Sequence, residues 1–198
     1  DDIDHVGVKA AMFSFTRLAG ADPVLGVEMA STGEVGCIGN DFHEAMLLAM
    51  KSSKITPPQK GVLVSAGPEA SKLQFLHSAK TLKRLGIPLF ATKGTAKYLL
   101  EHGYDVTAVK WPSECEVDDD SNVLNIIKSG KVDFVINIPK NLQRKELSEG
   151  AKIRLTAVQF ECSLITNMEK VSAYIQAIAS CPKFLLTHKP LSISEYLN

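Results

Sequence analysis

Short apolar runs alternate with helical segments over the last two thirds of this chain, and this alternation constrains the fold more than any other feature. The predicted strands are 62–64, 88–91, 106–109, 133–138 and 164–167, and the predicted helices are 70–85, 96–102, 123–129, 149–160 and 168–179. Strands that alternate with helices run in the same direction, because each helix carries the chain back to the start of the next strand. The sequence therefore predicts an α/β fold, a five-stranded parallel sheet flanked by helices.

Residues 1–60 have a different pattern from the rest of the chain. Two runs rich in β-formers, 11–15 and 24–29, are followed by Asp41, a suitable N-cap for a helix over 42–51. Residues 52–60 lack periodicity and contain two adjacent prolines, which favours a linker. We therefore divide the chain into a small α+β unit, a linker, an α/β domain and a C-terminal tail, with the bounds 1–51, 52–60, 61–180 and 181–198.

Composition excludes several classes of protein. Lysine plus arginine and aspartate plus glutamate number 22 each, so the chain has no basic field for a nucleic-acid partner. No apolar run approaches the roughly 18 residues of a membrane span, so no membrane partner is expected. The four cysteines have no metal-ligand spacing, which predicts free thiols in a reducing compartment and no metal site. The five histidines form no catalytic pattern. The chain starts at Asp1 without a methionine, so we expect it to be a fragment.

The junction between the second predicted strand and its helix is the most distinctive local feature. Thr92-Lys93-Gly94-Thr95 forms a polar turn between a buried strand and a helix N-terminus. Such a turn offers unpaired backbone N–H groups, the positive end of a helix dipole and two hydroxyls, so it predicts a site for phosphate or carboxylate, with Lys72 placed to add a positive charge. In the structural alternative, Thr95 is only the N-cap of its own helix and Lys72 is a solvated surface lysine.

Three more residues fall at the ends of predicted strands, namely Ser65, Trp111 and Asn137. Ligands of Rossmann-like sheets bind outside the carboxyl ends of the strands, so these residues are predicted to line the same site. Trp111 could cover a ligand or anchor a loop, and Asn137 could bind a ligand or only hold the next loop. The acidic run 118–120 could hold a cation, but a solvated helix cap is the plainer interpretation.

Two stretches resemble a known family. Residues 19–35, which read AGADPVLGVEMASTGEV, resemble the end of the second ATP-grasp synthetase unit of the carbamoyl-phosphate synthase large chain. Residues 60–179 resemble the regulatory domain that follows that unit, which has the methylglyoxal-synthase-like fold. The resemblance implies that residues 1–51 are the remnant of an ATP-grasp domain and that 61–180 form an effector-binding domain.

The resemblance also implies a set of effector-binding residues. The family's Thr-x-x-Thr anion-binding turn matches Thr92 and Thr95, and the lysine of nucleotide-controlled relatives matches Lys72. The sequence 110–113, Lys-Trp-Pro-Ser, resembles the urea-cycle type of synthase, which N-acetyl-L-glutamate switches on through threonines, this tryptophan and asparagines. Asn137 matches the first such asparagine. Lys140 stands where a second is expected, and Asn141 is its possible substitute.

The family's chemistry sets further expectations. The parent enzyme makes carbamoyl phosphate from ATP, bicarbonate and ammonia or glutamine. Its MgATP-binding residues would lie upstream of Asp1, so this chain alone is expected to hold no cofactor and to catalyse nothing. Expected partners are an anionic effector, the upstream synthetase domains and a glutaminase domain or subunit. A mitochondrial location is implied for the urea-cycle type. The alternatives are a cytoplasmic pyrimidine-pathway synthase controlled by UMP, IMP or UTP, and a methylglyoxal-synthase-type lyase, whose Gly-rich loop is absent here.

Overall fold

The computed structural model describes residues 4–13, 21–24, 31–139, 144–189 and 191–196. Its first part is an antiparallel hairpin, in which β1 (Val6–Met12) pairs with β2 (Gly33–Gly39) and Val6 lies opposite Gly39. Of the predicted strand 11–15, residues 11 and 12 belong to β1, Phe13 is not in a strand, and residues 14 and 15 lie outside the described residues. The sequence analysis missed β2, because its three glycines hide the usual alternation of apolar residues. Of the predicted strand 24–29, Val24 is not in a strand, and the remainder lies outside the described residues.

The helix predicted after Asp41 is present as α1 (Phe42–Ser52). The Asp41 carboxylate accepts a hydrogen bond from the Glu44 amide at 2.9 Å, which satisfies one of the N–H groups that a helix start leaves unpaired. Five residues of α1 are buried, and they include Leu47 and Met50. The helix therefore has one apolar side, as its sequence predicts.

The predicted parallel sheet is confirmed, and it has five strands. They are β3 (Val62–Ala66), β4 (Leu89–Thr92), β5 (Thr107–Val109), β6 (Phe134–Ile138) and β7 (Ser163–Ile165). Their order in the sheet is β5-β4-β3-β6-β7, and every neighbouring pair is parallel. The first strand of the sheet in sequence, β3, therefore lies at its centre.

Helices cover both faces of this sheet. They are α2 (Glu69–Arg84), α3 (Lys93–Glu101), α4 (Val123–Lys128), α5 (Arg144–Gln159) and α6 (Met168–Ser180), followed by the short α7 (Phe184–Thr187) and α8 (Ile193–Tyr196). One apolar cluster joins α1, α2, α3 and α6 to the sheet, and a second joins α4 and α5 to the opposite face. Strand side chains alternate between the two clusters: Val62 and Val64 belong to the first and Leu63 to the second.

Two helices begin earlier than predicted. The helix expected after Thr95 starts at Lys93, so Thr92 occupies the N-cap position and Thr95 lies within the first turn. The helix expected at 149 starts at Arg144, because the polar residues before 149 carry no apolar periodicity from which a helix start could be read. The other boundaries lie within about two residues of their predicted places, as helix and strand ends commonly do.

The predicted linker 52–60 is bound closely to the sheet. Its Thr56 amide donates to the Ser163 hydroxyl at 2.9 Å, and its Ile55 carbonyl accepts from the Tyr174 hydroxyl at 3.1 Å. The Asp133 carboxylate accepts hydrogen bonds from the amides of residues 59 and 60. The division of the chain at this linker stays a prediction, but these bonds and the shared core mean that α1 and the sheet are packed together.

Candidate functional site

The strand order identifies the place where a ligand would bind. The chain leaves the central strand β3 first toward β4 and later returns to β6 on its other side. The connections on the two sides therefore diverge, and in sheets of this kind a ligand binds in a crevice at such a point, which here is at the carboxyl ends of β3 and β6. In the paired register Ser65 of β3 lies beside Asn137 of β6, and both residues are buried.

Three of the predicted residues form a row across this edge of the sheet, which we call the polar row (Thr92, Ser65 and Asn137). Thr92 is one residue beyond the last paired position of β3 and β4, and its hydroxyl donates to the Ser65 hydroxyl at 3.4 Å. The alternation of the strands places all three side chains on the sheet face that α4 and α5 cover. The structure thus brings these residues together on adjacent strands.

Thr95 has a different role from either of those considered in the sequence analysis. The alternative that it is an N-cap is wrong, because it lies in the first turn of α3 and its hydroxyl reaches another strand. That hydroxyl accepts from the Ala66 amide at 3.1 Å and donates to the Ala66 carbonyl at 3.2 Å. Thr95 therefore binds the end of β3, and its hydroxyl is already occupied.

The N-terminus of α3 has no side-chain cap. Thr92 is at the N-cap position, but its hydroxyl bonds to Ser65 instead of to the helix. The backbone N–H groups of the first turn have no partner within the helix, and the helix dipole makes this end positive. Lys72 of α2 is half-buried, and its Nζ atom lies 4.0 Å from the position of a Cβ atom on Gly94. It forms no ion pair within the described residues. The lysine charge and the helix end thus face one another.

Trp111 follows β5 at the same edge of the sheet. It is half-buried and packs against the apolar cluster beneath α4 and α5, on the side of the sheet where the polar row lies. The short turn after it is fixed to α5, because the Ser113 amide donates to Glu149 at 3.2 Å. Glu149 also pairs with Lys152 at 2.7 Å. Trp111 is two strands away from the crevice in the strand order.

Lys140 and Asn141, which were also predicted to bind the effector, lie outside the described residues.

The acidic loop is held by its own hydrogen bonds. Asp119 accepts from the Ser121 hydroxyl at 2.6 Å, from the Ser121 amide at 2.7 Å and from Lys110 Nζ at 3.0 Å. The bonds from Ser121 and then from Lys110 lower the pKa of Asp119 to about 2. In the part of the chain that the structure describes, no group of three or more His, Cys, Asp or Glu residues is placed to hold a metal ion. None of the described helices is long and apolar enough to cross a membrane.

One residue that the sequence analysis did not consider lies against the polar row. Arg154 of α5 is completely buried, and its Nη1 atom donates to Asn137 Oδ1 at 2.6 Å. Its Nε and Nη2 atoms donate to the two carboxylate oxygens of Asp22 at 2.7 and 2.5 Å. Because an arginine on a helix is usually exposed, the sequence pattern did not indicate that the Arg154 side chain would be buried. The one available signal was Gly150, one helical turn earlier, where a side chain would collide with the guanidinium.

Burial and pairing have opposite effects on Asp22. Burial by itself raises the pKa of this carboxyl, but the hydrogen bonds and the positive charge of Arg154 outweigh it and lower the pKa below its usual value. Asp22 therefore stays ionised near neutral pH. Its side chain is 39% exposed, whereas that of Arg154 is 1% exposed.

Comparison with known proteins finds a matching domain family and several similar chains. Residues 74–166 match the MGS-like domain family. The chain is 43% identical over 175 residues to "Carbamoyl-phosphate synthase [ammonia], mitochondrial" of Aquarana catesbeiana, an alignment that covers 88% of this chain and 12% of that protein. It is 42% identical to "Multifunctional protein pyr1-3" of Dictyostelium discoideum (89% of this chain, 8% of that protein). It is 39% identical to the mitochondrial ammonia-type synthase of Homo sapiens (91% and 12%).

The chain thus spans about a tenth of the length of the curated relatives it matches. The resemblance noted from the sequence is confirmed, both in the matched domain and in the identity over most of the chain. The matched domain includes four of the strands of the sheet completely, from β4 to β7, together with Thr92, Asn137 and Arg154.

Proposed function

We propose that this chain, a homologue of the carbamoyl-phosphate synthases that carries an MGS-like domain, is a non-catalytic regulatory region that binds an anionic effector at the carboxyl ends of β4, β3 and β6. The observation that carries the proposal is the uncapped N-terminus of α3 beside the Lys72 ammonium, which pairs with none of the described carboxylates. A carboxylate or phosphate placed there would accept hydrogen bonds from the first-turn amides and interact with the lysine charge.

The polar row supplies neutral groups beside this positive end. Ser65 and Thr92 contribute hydroxyls, and Asn137 contributes an amide whose NH2 group bonds to no other described residue. Thr95 supports the proposal differently from the sequence-based expectation, since its hydroxyl is occupied by Ala66 and only its backbone N–H is available. The arrangement suits a ligand with one anionic end and a further hydrogen-bonding group.

N-acetyl-L-glutamate is the effector we propose. Two carboxylates and an amide match a helix N-terminus, a lysine and side-chain donors of this kind. The end of β5 also favours a carboxylate ligand over a phosphate, because Lys110 is paired with Asp119 and the next residue is the neutral Trp111. Trp111 would then cover the ligand. A nucleotide effector, UMP, IMP or UTP, is the competing assignment.

The wider role rests on the homologues. In the proposed arrangement the parent enzyme makes carbamoyl phosphate with MgATP held by its upstream domains, and residues 1–51 are the end of an ATP-grasp unit. The effector would act by binding more tightly when the synthetase domains are in their active state. A glutaminase partner and a mitochondrial location belong to the same proposal, and a cytoplasmic location goes with the nucleotide alternative.

Calorimetric titration of the chain with N-acetyl-L-glutamate, with Trp111 fluorescence followed in parallel, tests the proposal. We expect heat of binding and a fluorescence change, since Trp111 is the chain's one tryptophan. The Lys72→Gln variant should bind about tenfold more weakly or worse, because it loses a charged hydrogen bond to the ligand. Lys80→Gln, an exposed lysine on the same helix, is the matched control and should bind normally.

Four results would contradict this assignment. Binding of UMP, IMP or UTP without binding of N-acetyl-L-glutamate would transfer the protein to the pyrimidine-type alternative. If neither class of ligand binds, or if Lys72→Gln and Lys80→Gln behave alike, the effector site is not at the α3 N-terminus. Conversion of dihydroxyacetone phosphate by the isolated chain would instead support a lyase.

A further inference from the structure

Arg154 is an unusual residue for its position. It lies on α5 with its side chain completely buried, and a buried charge is destabilising unless it is paired and hydrogen-bonded. Here one guanidinium makes three hydrogen bonds to two residues that are far apart in sequence. Two of these bonds reach Asp22 and one reaches Asn137. The paired carboxylate compensates the charge, and the bond to Asn137 is the part that reaches the crevice.

The chemistry of the guanidinium fixes the orientation of the Asn137 side chain. A guanidinium contains hydrogen-bond donors and no acceptor, so the atom of Asn137 that faces it has to be the carbonyl oxygen. The NH2 group must then face away from Arg154. That NH2 group donates to no other described residue, and Asn137 lies beside Ser65 at the carboxyl end of the sheet. Asn137 is thereby held as a donor, which suits an anionic or carbonyl-bearing ligand.

Gly150 makes this contact possible. It lies one turn before Arg154 on α5, and a Cβ atom there would be 2.8 Å from Arg154 Nη1 and 3.5 Å from Asn137 Oδ1. A glycine inside a helix costs about 1 kcal/mol relative to alanine. Its presence within α5 is therefore explained by the space that the Arg154–Asn137 bond requires.

Asp22 determines where the guanidinium lies. Its two oxygens accept from Nε and Nη2 in the paired geometry that holds an arginine in one plane. Asp22 precedes the sheet domain by about 40 residues and belongs to the segment 21–24, before β2 and α1. Movement of that segment would move the guanidinium, and movement of the guanidinium would release or rotate the Asn137 amide.

We infer that Arg154 is a positioning residue that holds the Asn137 amide as a donor toward the crevice, and that Asp22 couples the N-terminal unit to the crevice through it. The inference deepens the proposed function, on which its ligand-binding part rests. Because coupling is reciprocal, a ligand that binds Asn137 would in turn favour the position of segment 21–24 in which Asp22 holds Arg154.

The first test uses NMR spectra of the unliganded chain. Asp22→Asn keeps the shape of the side chain but removes its charge and one acceptor, so Arg154 loses half of its paired contact. We expect the side-chain NH2 signals of Asn137, identified by their loss in Asn137→Asp, to shift. Asp120→Asn, at an exposed aspartate, is the matched control and should leave them in place. Unchanged Asn137 signals in Asp22→Asn would overturn the coupling.

A second variant separates positioning from folding. Gly150→Ala places a methyl group against Nη1, while alanine favours the helix, so the chain should remain folded. We expect this variant to shift the same Asn137 signals and to keep a cooperative thermal unfolding transition. Unchanged signals in Gly150→Ala would show that Arg154 does not orient Asn137.

Ligand titration completes the test. In a chain that binds N-acetyl-L-glutamate, Asp22→Asn and Gly150→Ala should each weaken binding about fivefold, the effect of one misplaced hydrogen bond, and Asp120→Asn should not. Shifted Asn137 signals with unchanged affinity would refute the role in ligand binding. A wild-type chain that does not bind N-acetyl-L-glutamate would overturn the effector assignment alone, and the Asn137 signals would still decide whether Arg154 positions that amide.

Discussion

The hydroxyl of Thr95 gives the sharpest prediction about the stability of this fold. Alternate residues along β3 bond to opposite neighbours: the Val62 amide donates to Pro88, just before β4, and the amide of Gly67, the residue after β3, donates to Ile138 of β6. Ala66 therefore faces the β4 side, but β4 ends at Thr92 and continues as α3. Thr95 supplies the missing partner for both the amide and the carbonyl of Ala66.

The Thr95→Val variant keeps the size of the side chain and removes the hydroxyl. It leaves a buried N–H and a buried C=O without their partner, and each such group costs about 1–3 kcal/mol. The unpaired carbonyl costs less than the unpaired amide, because its oxygen has a second lone pair that can still accept a hydrogen bond. We therefore expect Thr95→Val to lower the free energy of unfolding by about 2–3 kcal/mol in total. Thr95→Ser keeps the hydroxyl and loses one methyl group, which should cost about 1 kcal/mol.

Urea unfolding measures these differences. Thr107→Val, at an exposed threonine of β5, is the matched control and should change the free energy of unfolding by less than about 0.5 kcal/mol. Hydrogen exchange of the Ala66 amide should also accelerate in Thr95→Val and stay slow in Thr95→Ser. The reasoning is refuted if Thr95→Val is no more destabilising than Thr107→Val, or if Thr95→Ser is equally damaging.

Three other predictions concern single carboxylates. Asp133→Ala removes the acceptor of the residue 59 and 60 amides and should destabilise the chain by about 1–3 kcal/mol in urea unfolding, with faster exchange at those amides as the site-specific check. Asp41→Ala removes the α1 N-cap and should cost about 1 kcal/mol, whereas Asp41→Ser, which can still cap, should cost much less in the same assay. The pKa of Asp119 is depressed to about 2, so its stabilising effect on the loop is complete above an unfolded-state pKa near 3.8 and is lost as the pH falls through about 2. An NMR titration that gives Asp119 an ordinary midpoint would contradict the hydrogen bonds from Ser121 and Lys110.

The sheet domain was largely predictable because its signals are local. A strand buried on both faces is a short apolar run, and the helix that follows it has its own apolar side and ends in a glycine. Gly86, Gly103 and Gly130 all have positive φ angles after their helices, as their places in the sequence indicate. The β1–β2 hairpin was not predictable to the same extent, because three of the seven residues of β2 are glycines and only pairing with β1 makes this segment a strand.

The sequence by itself determined the α/β fold, the edge of the sheet at which a ligand would bind, and the polar residues Ser65, Thr92 and Asn137 that lie there. These follow from periodicity and from the rule that parallel strands end at a common edge. Only the tertiary structure decided which neighbour each side chain bonds to. It directed Thr95 to Ala66 and brought Asp22 to Arg154, because contacts between residues 29 and 132 positions apart depend on the strand order and helix packing and leave no periodic signal in the sequence.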